Sequence, residues 1–397
     1  MQRQSAIRVL LSGGGTGGHV YPALAVIDAL RTLRRAQDRA GVEILQQGTS
    51  STGPDPRFSD IELLWVGSRH GVEADVVPRA SVPFEPIDVA GLRGMAPPQL
   101  ARGLALLVRG TRQAYHIIGR FKPDVIFVTG GYVSAPVVLA GRARRVPIVI
   151  YLPDIVPGLA IRSLARLATR VAVSFEKSRQ YLSQEKVVVT GYPVRAALFS
   201  ANQARARQSL GLDPDAKTVL IFGGSRGARR INQAVAATLE ALLDPSTGSA
   251  QGLAQLIHIA GRLDIAELER RRKALPATLT SRYHLFAYLH EEMADALVAA
   301  DLVVSRAGAA TLGEFPAARV AAVLVPYPYA GAHQADNAAV LAEAGGAIIL
   351  PDAELTGDRL LDTVRSILSD EDRLAAMRAN MGRLARPDAA RRIAELL

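Results

Sequence analysis

Short runs of β-branched and aliphatic residues alternate along this chain with longer segments rich in alanine and leucine. Such alternation is typical of parallel α/β domains, in which each buried strand is followed by a helix. The clearest helices are predicted at Pro22–Arg35 and Gln99–Gly119. Strands in the first half are predicted at Arg8–Leu11, Leu63–Val66, Val125–Val128, Ile148–Ile150, Val171–Val173 and Val187–Val189.

The pattern resumes after an interruption at Gly191–Asp215, a segment that contains Pro193, Gly211 and Pro214. Strands are then predicted at Thr218–Phe222, Leu256–Ile259, Leu285–Ala287, Leu302–Val304, Val323–Val325 and Ala347–Leu350. A chain of 397 residues suits two cores better than one. The sequence therefore predicts two Rossmann-like, doubly wound α/β domains that face each other across a cleft. They comprise residues 1–195 and 196–385, with a C-terminal helix at 386–397 that packs back on the first domain.

Composition narrows the class of protein. Hydrophobic residues make up 49% of the chain and charged residues 21%, which is typical of a globular protein. No apolar run reaches the roughly 18 residues that a membrane span needs, and the N-terminus does not resemble a signal peptide. We therefore expect a protein of the cytoplasm. The absence of cysteine excludes disulfides, thiolate metal sites and a cysteine nucleophile.

The chain carries a net charge of +10, which suits nucleic acid, anionic lipid or phosphorylated substrates as partners. Aromatic residues make up only 5% of the chain, and no basic helix is interleaved with aromatic side chains that could stack on bases. Nucleic acid is therefore the least favoured of the three partners.

A glycine-rich loop, SGGGTGGH, follows the first strand and precedes the first helix. Glycine lets the backbone approach a ligand closely, and the helix N-terminus attracts an anion. Gly13, Gly15 and Gly18 satisfy the dinucleotide pattern GxGxxG, but the second strand ends in Ser68-Arg69 without the acidic residue that binds NAD. On this loop alone an NADP oxidoreductase stays open. His19 is either a helix-terminal histidine satisfied by the backbone or a general base close to its substrate.

The second half repeats the arrangement at Gly223–Ala228, where Ser225 can bind a phosphate. A further loop after the strand that ends at Ser305 contains Gly308, which permits close approach of a ligand. Glu314, one turn into the next helix, can accept hydrogen bonds from ribose hydroxyls. Gln334 and Asn337 share a helix face, and carboxamides both donate to and accept from sugar hydroxyls. This ordered set favours a sugar-nucleotide site.

These segments closely resemble the MurG family of N-acetylglucosaminyltransferases, which belongs to glycosyltransferase family 28. The resemblance covers almost the whole chain. The matching motifs, in the order and spacing of that family, are GGGTGGHVYPALA, GLRG at Gly91–Gly94, GGYVSAP at Gly130–Pro136, GYPVR at Gly191–Arg195, GGSRGA, SRAGAATLGE and HQADNA.

The resemblance implies a GT-B fold and inverting transfer of N-acetylglucosamine from UDP-N-acetylglucosamine to the 4-hydroxyl of N-acetylmuramate in lipid I, which yields lipid II for peptidoglycan synthesis. It implies His19 as the candidate base. The residues implied to bind the donor are Thr16, Gly17, Gly18, Arg195, Ser225, Gly308, Glu314, Gln334 and Asn337. Those implied on the acceptor side are Gly14, Gly15, Gly130, Gly131 and Tyr132.

The sequence departs from the family at Tyr151-Leu152-Pro153-Asp154, where His-Glu-Gln-Asn is usual. Acceptor recognition is the function that this departure affects, and Asp154 becomes a second candidate base. Arg226 replaces the usual glutamine, and Arg319-Val320-Ala321 replaces a Gly-Leu-Pro turn. The donor side therefore matches the family better than the acceptor side.

No cofactor and no catalytic metal are expected. The only Asp-x-Asp match, Asp213-Pro214-Asp215, falls in the interdomain turn, and a helix N-terminus can neutralise the leaving diphosphate instead. Basic residues on the helix Gln99–Arg120 predict docking on an anionic membrane surface, at its cytoplasmic face. The residues predicted to meet the membrane are Arg102, Leu106, Arg109, His116, Ile117 and Arg120, with Leu100, Leu104, Leu107, Val108, Tyr115 and Ile118 turned to the core.

Two alternatives accompany the transferase. One is a UDP-N-acetylglucosamine epimerase or hydrolase on the same fold, which would need no acceptor. The other is a non-catalytic sugar-nucleotide-binding subunit, which His19 and the two-domain chain argue against. The NADP oxidoreductase loses support once the second domain is considered, because Glu314, Gln334 and Asn337 have no role in it.

Overall fold

The computed structural model describes residues 6–47, 60–91, 97–223, 228–244, 254–290, 292–328 and 333–397, and only the backbone of 37–47, 97–100 and 254. The chain divides into two compact units. The first comprises Met1–Val194 together with Asp388–Leu397, and the second comprises Arg195–Pro387.

The first unit contains a seven-stranded parallel sheet in the order β3-β2-β1-β4-β5-β6-β7. Its strands are β1 Ile7–Gly13, β2 Ile61–Ser68, β3 Phe84–Ile87, β4 Val125–Gly130, β5 Ile148–Leu152, β6 Arg170–Val173 and β7 Val187–Val189. Its helices are α1 Gly17–Gln47, α2 Glu73–Arg79, α3 Pro97–Phe121, α4 Ser134–Ala143 and α5 Leu159–Leu164.

The second unit contains a six-stranded parallel sheet in the order β10-β9-β8-β11-β12-β13. Its strands are β8 Lys217–Phe222, β9 Ala254–Ile259, β10 Tyr283–Phe286, β11 Leu302–Ser305, β12 Ala321–Leu324 and β13 Ala347–Ile349. Its helices are α6 Ala197–Ser200, α7 Gln203–Ser209, α8 Arg229–Ala237, α9 Leu239–Leu243, α10 Ile265–Ala274, α11 Ala277–Thr280, α12 Met293–Ala299, α13 Thr311–Ala318, α14 His333–Glu343, α15 Gly357–Leu368 and α16 Glu371–Arg383.

The final helix, α17 at Ala389–Leu396, belongs to the first unit and packs against α1. Its residues Ala389, Ile393 and Ala394 are fully buried. Their spacing places them on one face of the helix, and this apolar face attaches the end of the chain to the first unit. The sequence expectation of a terminal helix from residue 386 differs from the observed start by three residues.

The predicted fold class, two doubly wound parallel α/β units, is confirmed. All twelve predicted strands are present, although β2, β9, β10 and β12 each begin two residues earlier than predicted. The prediction missed β3, because Pro86 lies inside it and proline argues against a central strand. The topology resolves the conflict, since β3 is an edge strand, where proline is tolerated.

Strand order reverses direction between β1 and β4 in the first sheet and between β8 and β11 in the second. In open parallel sheets, ligands bind beyond the carboxyl ends of the strands at such switch points. The glycine-rich loop follows β1, and β4 ends at Gly130, which Gly131 follows. In the second unit Gly223 follows β8 and Gly308 follows β11, so both switch points carry the predicted motifs.

The orientation of α3 corrects the sequence prediction. Leu104 and Val108, predicted in the core, are 49% and 70% exposed, while Ile117, predicted at the membrane, is only 7% exposed. The buried face instead carries small residues. One of them, Gly110, lies so close to the backbone at Asp88 that an added Cβ would be 2.5 Å from the Asp88 carbonyl oxygen. Tyr115 is also exposed, Leu106 and Leu107 are half-buried, and Ile118 lies in the core as predicted.

None of the helices is both long enough and apolar enough to cross a membrane, over the ranges that the structure describes.

Candidate functional site

The glycine-rich loop of the first unit is packed against the end of β4. Gly130 and Gly131 have φ angles of +113° and +84°, which favour glycine. A Cβ on Gly130 would lie 2.8 Å from the His19 ring, and one on Gly131 would lie 2.2 Å from the Gly14 carbonyl oxygen. These two predicted acceptor-side residues thus shape the loop and seat the ring of His19.

Tyr132 covers the loop from the other side. Gly15 has a φ of +85°, and a Cβ there would lie 3.3 Å from the Tyr132 ring. The Tyr132 hydroxyl donates to Ser68 Oγ at 3.2 Å, while about 39% of the residue remains exposed. Thr16 is exposed at the tip of the loop, and its carbonyl accepts from the His19 N–H at 3.2 Å.

A buried carboxylate lies beneath this loop, and sequence reasoning missed it. Glu73, the first residue of α2, is 0% exposed. Its Oε2 accepts from the Gly15 N–H at 2.9 Å, and its Oε1 accepts from the Ser68 N–H at 3.0 Å and the Ser68 hydroxyl at 2.5 Å. The Gly15 amide of the glycine loop is therefore occupied by the protein itself.

The ring of His19 is held by a hydrogen bond at one of its two nitrogens, Nδ1. Its Nδ1 lies 2.9 Å from the Thr129 carbonyl oxygen. Because a carbonyl only accepts, this contact places the proton on Nδ1 and leaves Nε2 with a lone pair. Burial lowers the pKa of His19, against opposing contributions from the Asp154 charge, the Thr129 carbonyl and the Glu73 charge. His19 is thus neutral at neutral pH, the form that a general base requires.

Asp154 lies close enough for its charge to act on His19, which keeps it a candidate partner in the same site. Tyr151, the first residue of the same departure from the family, lies in a different environment. Tyr151 points into the core at 0% exposure, with its hydroxyl 2.7 Å from Ser174 Oγ. Burial raises the pKa of Tyr151 well above its ordinary value, so this side chain stays neutral.

The contacts around Ser68-Arg69 further weaken the hypothesis of an NADP oxidoreductase. Arg69 Nε donates to Asp88 at 3.1 Å, and Asp88 also pairs with Arg109 at 2.9 Å. The hydrogen bonds from Gln113 and Arg69 lower the pKa of Asp88. A guanidinium held by a carboxylate, beside a loop backed by Glu73, is poorly arranged for a dinucleotide phosphate.

The corresponding loop of the second unit, after β11, is anchored by its arginine and open at its glycine. Arg306 Nη1 donates to Asp352 at 2.5 Å and to the Val325 carbonyl oxygen at 3.1 Å. These bonds draw the Arg306 side chain into the unit, where only about a tenth of it is exposed. A Cβ on Gly308 would meet nothing within 4 Å, so there is space for a ligand against its backbone. Sequence reasoning did not assign Arg306 and Asp352.

Glu314 lies in the first turn of α13, immediately beyond that loop, and is partly buried. Burial raises its pKa to about 7, and the nearby positive charge of Arg195 acts in the opposite direction. Arg195 itself is exposed at the start of the second unit. The structure thus brings two predicted donor residues together, and the carboxyl group is poised to ionise near neutral pH.

The two carboxamides of α14 hold the surrounding loops. Asn337 is 0% exposed and its Nδ2 donates to the Ala307 carbonyl oxygen at 3.1 Å, so it anchors the loop that contains Gly308. Gln334 Oε1 accepts from the Tyr327 N–H at 2.9 Å, which leaves its NH₂ group as donor. Ser225 lies outside the described residues.

A buried polar network supports α8, the helix that follows Gly223–Ala228. His258 is 0% exposed, with Nδ1 2.8 Å from the Tyr283 hydroxyl and Nε2 3.0 Å from Asn232 Oδ1. Burial lowers the pKa of His258 to about 3, so the ring is neutral. This histidine is structural.

Within the residues that the structure describes, no group of three or more histidine, aspartate or glutamate side chains is arranged to hold a metal ion. The Asp213-Pro214-Asp215 segment forms a turn in which Asp213 Oδ1 accepts from the Asp215 N–H at 3.0 Å.

Comparison with known proteins bears on the choice between a glycosyltransferase, an epimerase or hydrolase, and a non-catalytic binding subunit. Residues 218–393 match the glycosyltransferase family 28 C-terminal domain, and residues 57–173 match its N-terminal domain. A relative from Roseiflexus sp. (strain RS-1) is 42% identical over 98% of this chain and 94% of its own length. The chain belongs to glycosyltransferase family 28. That relative is named UDP-N-acetylglucosamine–N-acetylmuramyl-(pentapeptide) pyrophosphoryl-undecaprenol N-acetylglucosamine transferase.

One of two similar solved structures agrees with family 28 membership. The crystal structure of Acinetobacter baumannii MurG superposes with a TM-score of 0.69 and 27% identity, covering 98% of this chain and 99% of the other. A putative UDP-N-acetylglucosamine 2-epimerase from Listeria monocytogenes reaches a TM-score of 0.65 at 14% identity, over 98% of this chain and 95% of its own. The second likeness is one of fold alone. The resemblance stated from the sequence motifs, including the glycosyltransferase class, is confirmed.

Proposed function

We propose that this family 28 enzyme transfers N-acetylglucosamine from UDP-N-acetylglucosamine to the 4-hydroxyl of N-acetylmuramate in lipid I, forming lipid II. The observation that carries the proposal is the full-length 42% identity to a transferase of that name. The geometry of both switch points supports it, because one carries a neutral histidine and the other a carboxyl group beside an open glycine loop. The first unit is proposed to bind the acceptor and the second the donor.

In the proposed reaction, Nε2 of His19 accepts the proton of the acceptor hydroxyl. The hydroxyl oxygen attacks the anomeric carbon on the face opposite the diphosphate, and the bond from that carbon to the phosphate oxygen breaks. UDP leaves with the electron pair, so the α-linked donor gives a β-1,4 product. Asp154 stabilises the imidazolium that forms, because its charge favours the protonated ring.

The donor is proposed to lie along the loop that contains Gly308. Glu314 would accept from the ribose hydroxyls, the NH₂ of Gln334 would donate to the sugar, and Arg195 and Ser225 would bind the diphosphate. Asn337 would act by holding the loop in place. The N-terminus of α13 would neutralise the leaving phosphate without a metal. Thr16, Gly17 and Gly18, at the N-terminus of α1, would lie against a substrate diphosphate in the same way.

The test incubates the purified protein with labelled UDP-N-acetylglucosamine, a lipid I analogue and EDTA, and follows the label into the lipid fraction. Label in a β-1,4 disaccharide lipid is the expected result and would also demonstrate metal independence. A parallel reaction without acceptor measures the epimerase and hydrolase alternatives. Consumption of the donor at the same rate in that reaction would overturn the proposal.

Membrane attachment is proposed to occur through α3, and its observed orientation alters the predicted contact. Arg109 and Arg120 are neutralised by Asp88 and Glu85, at 2.9 and 2.5 Å. Among the described residues no carboxylate pairs with Arg102 or Arg112, which are exposed along the helix. Leu104 and Val108 are exposed on the same helix and lie on the side of Arg112, while Arg102 lies at the other edge of the exposed face. Such a surface suits the interface of an anionic bilayer.

We expect the protein to bind vesicles that contain phosphatidylglycerol, more weakly as salt rises. Replacing Arg102 and Arg112 together by glutamine should weaken binding by about 1 kcal/mol for each cation. Leu104→Ser with Val108→Ser should weaken it through lost apolar burial. Cosedimentation measures both effects, with Leu263→Ser as the control, because Leu263 is 78% exposed in the other unit. Equal losses in all variants would contradict a role for α3.

A further inference from the structure

The carboxylate of Glu73 is fully buried, yet it contacts the loop on which catalysis is proposed to depend. It bonds the Gly15 N–H and both polar groups of Ser68, at 2.5 to 3.0 Å. Ser68 in turn accepts from Tyr132. A continuous set of hydrogen bonds therefore joins the end of β2 to the glycine loop and to the aromatic ring that covers it.

The surrounding sequence leaves room for this side chain. A Cβ on Gly14 would lie 2.2 Å from the Glu73 carboxyl carbon, and one on Gly71 would lie 2.1 Å from Oε2. A Cβ on Gly67 would lie 2.8 Å from the Glu73 Cγ. Three glycines from three segments thus enclose one carboxylate.

We propose that Glu73 is a positioning residue for glycosyl transfer, which fixes the glycine loop through Gly15 and holds His19 ready to accept a proton. The inference rests on the proposed function. The Thr129 carbonyl from β4 is hydrogen-bonded to the His19 ring, and the charges of Asp154, after β5, and Glu73, from α2, also act on the ring. Glu73 therefore acts on the His19 ring by charge, and on the loop that precedes His19 through its hydrogen bond to Gly15.

The test compares Glu73→Gln with Asp75→Asn, which removes a carboxylate from the same helix. Asp75 is exposed and pairs only with Arg79 at 2.8 Å among the described ion pairs, so it is a matched control. The glutamine side chain has a single oxygen and cannot accept from both Gly15 and Ser68 as the carboxylate does, so the loop loses one anchor. We expect kcat to fall about tenfold or more with the donor KM unchanged, because displacement of a positioned group is costly. We also expect the acid limb of the pH profile to move to lower pH.

Glu73→Asp separates charge from reach. It keeps the carboxylate but shortens the side chain, so kcat should fall while the acid limb stays in place. Ser68→Ala, which keeps both the charge and the Gly15 contact, serves if the Glu73 variants fail to fold, and should lower kcat less. Thermal melting of each variant measures stability. A lowered melting temperature with kcat and the pH profile equal to those of Asp75→Asn would assign Glu73 a purely structural role.

A readout without substrate distinguishes this inference from the proposed function. The His19 ring proton is followed by NMR as pH is varied, with its signal assigned by loss in His19→Gln. Glu73→Gln should lower the titration midpoint relative to wild type and Asp75→Asn. Identical midpoints in the three proteins would overturn the coupling of Glu73 to His19, whatever the assay of transfer shows.

Discussion

Replacing His19 by glutamine should reduce kcat by about 10²- to 10⁴-fold, the contribution typical of a general base. Glutamine can still donate to the Thr129 carbonyl, so the packing at Gly130 is largely retained, but it has no lone pair that takes a proton at neutral pH. The donor KM should change little. Because burial lowers the pKa of His19, wild-type activity should persist below pH 6.5 and fall only as the ring becomes protonated. Initial rates across pH measure both expectations.

His70→Gln is the control for this substitution, because His70 is an exposed histidine in the same unit. Asp154→Asn completes the comparison. If His19→Gln retains activity and Asp154→Asn abolishes it, Asp154 is the base and His19 a supporting residue. If His19 is the base, Asp154→Asn should lower activity less and move the acid limb to lower pH, since the Asp154 charge favours the protonated ring.

Replacing Glu314 by glutamine should raise the donor KM by about 10- to 100-fold, which corresponds to the 1.5–3 kcal/mol of a hydrogen bond to a charged group. The wild-type KM should fall as pH rises through 7, because the pKa of Glu314 is about 7 and only the ionised carboxylate accepts from both ribose hydroxyls. The variant should lose this dependence. Initial rates at varied donor concentration give the KM at pH 6 and pH 8. Donor titration by calorimetry gives the dissociation constant at the same two pH values.

The same shift has a cost for folding. Since the folded pKa of Glu314 exceeds the ordinary value of 4.5, ionisation destabilises the unliganded second unit progressively as pH rises from 4.5 through 7. Glu314→Gln should therefore stabilise the unliganded protein at pH 8, while weakening donor binding. Glu240→Gln, an exposed substitution in the same unit, controls for the loss of charge. A pH-dependent KM that survives in Glu314→Gln would assign the titration to another group.

The sequence predicted the two sheets well because each strand is a compact apolar run, and the glycine motifs marked where those strands end. It also identified several of the residues that lie near the two switch points. His19, Gly130 and Gly131 come together in the structure, as do Glu314 and Arg195. Motif and topology agree here because the carboxyl ends of parallel strands meet at one edge of a sheet.

The sequence could not reveal Glu73 or the orientation of α3 for a common reason. In both places glycine forms the buried surface, and hydrophobicity gives no weight to a missing side chain. Gly67 and Gly71 make space for a carboxylate, and Gly110 lets α3 approach the backbone at Asp88. Two glycines, Gly67 and Gly71, that precede an acidic residue at the start of a short helix were the available signal. Arg306 was likewise hidden, because its partner Asp352 lies 46 residues further along the chain.

The proline that concealed β3 also protects the molecule. β3 is the outermost strand on its side of the first sheet, over the part of the chain that the structure describes. The bond from the Trp65 N–H to the Pro83 carbonyl sets the alternation, so Glu85 and Ile87 point their amides towards β2 and position 86 points outward. Pro86 offers no N–H there, and Arg120 pairs with the neighbouring Glu85. A second copy of the chain therefore finds an interrupted edge, which discourages the strand-to-strand association that open sheets otherwise invite.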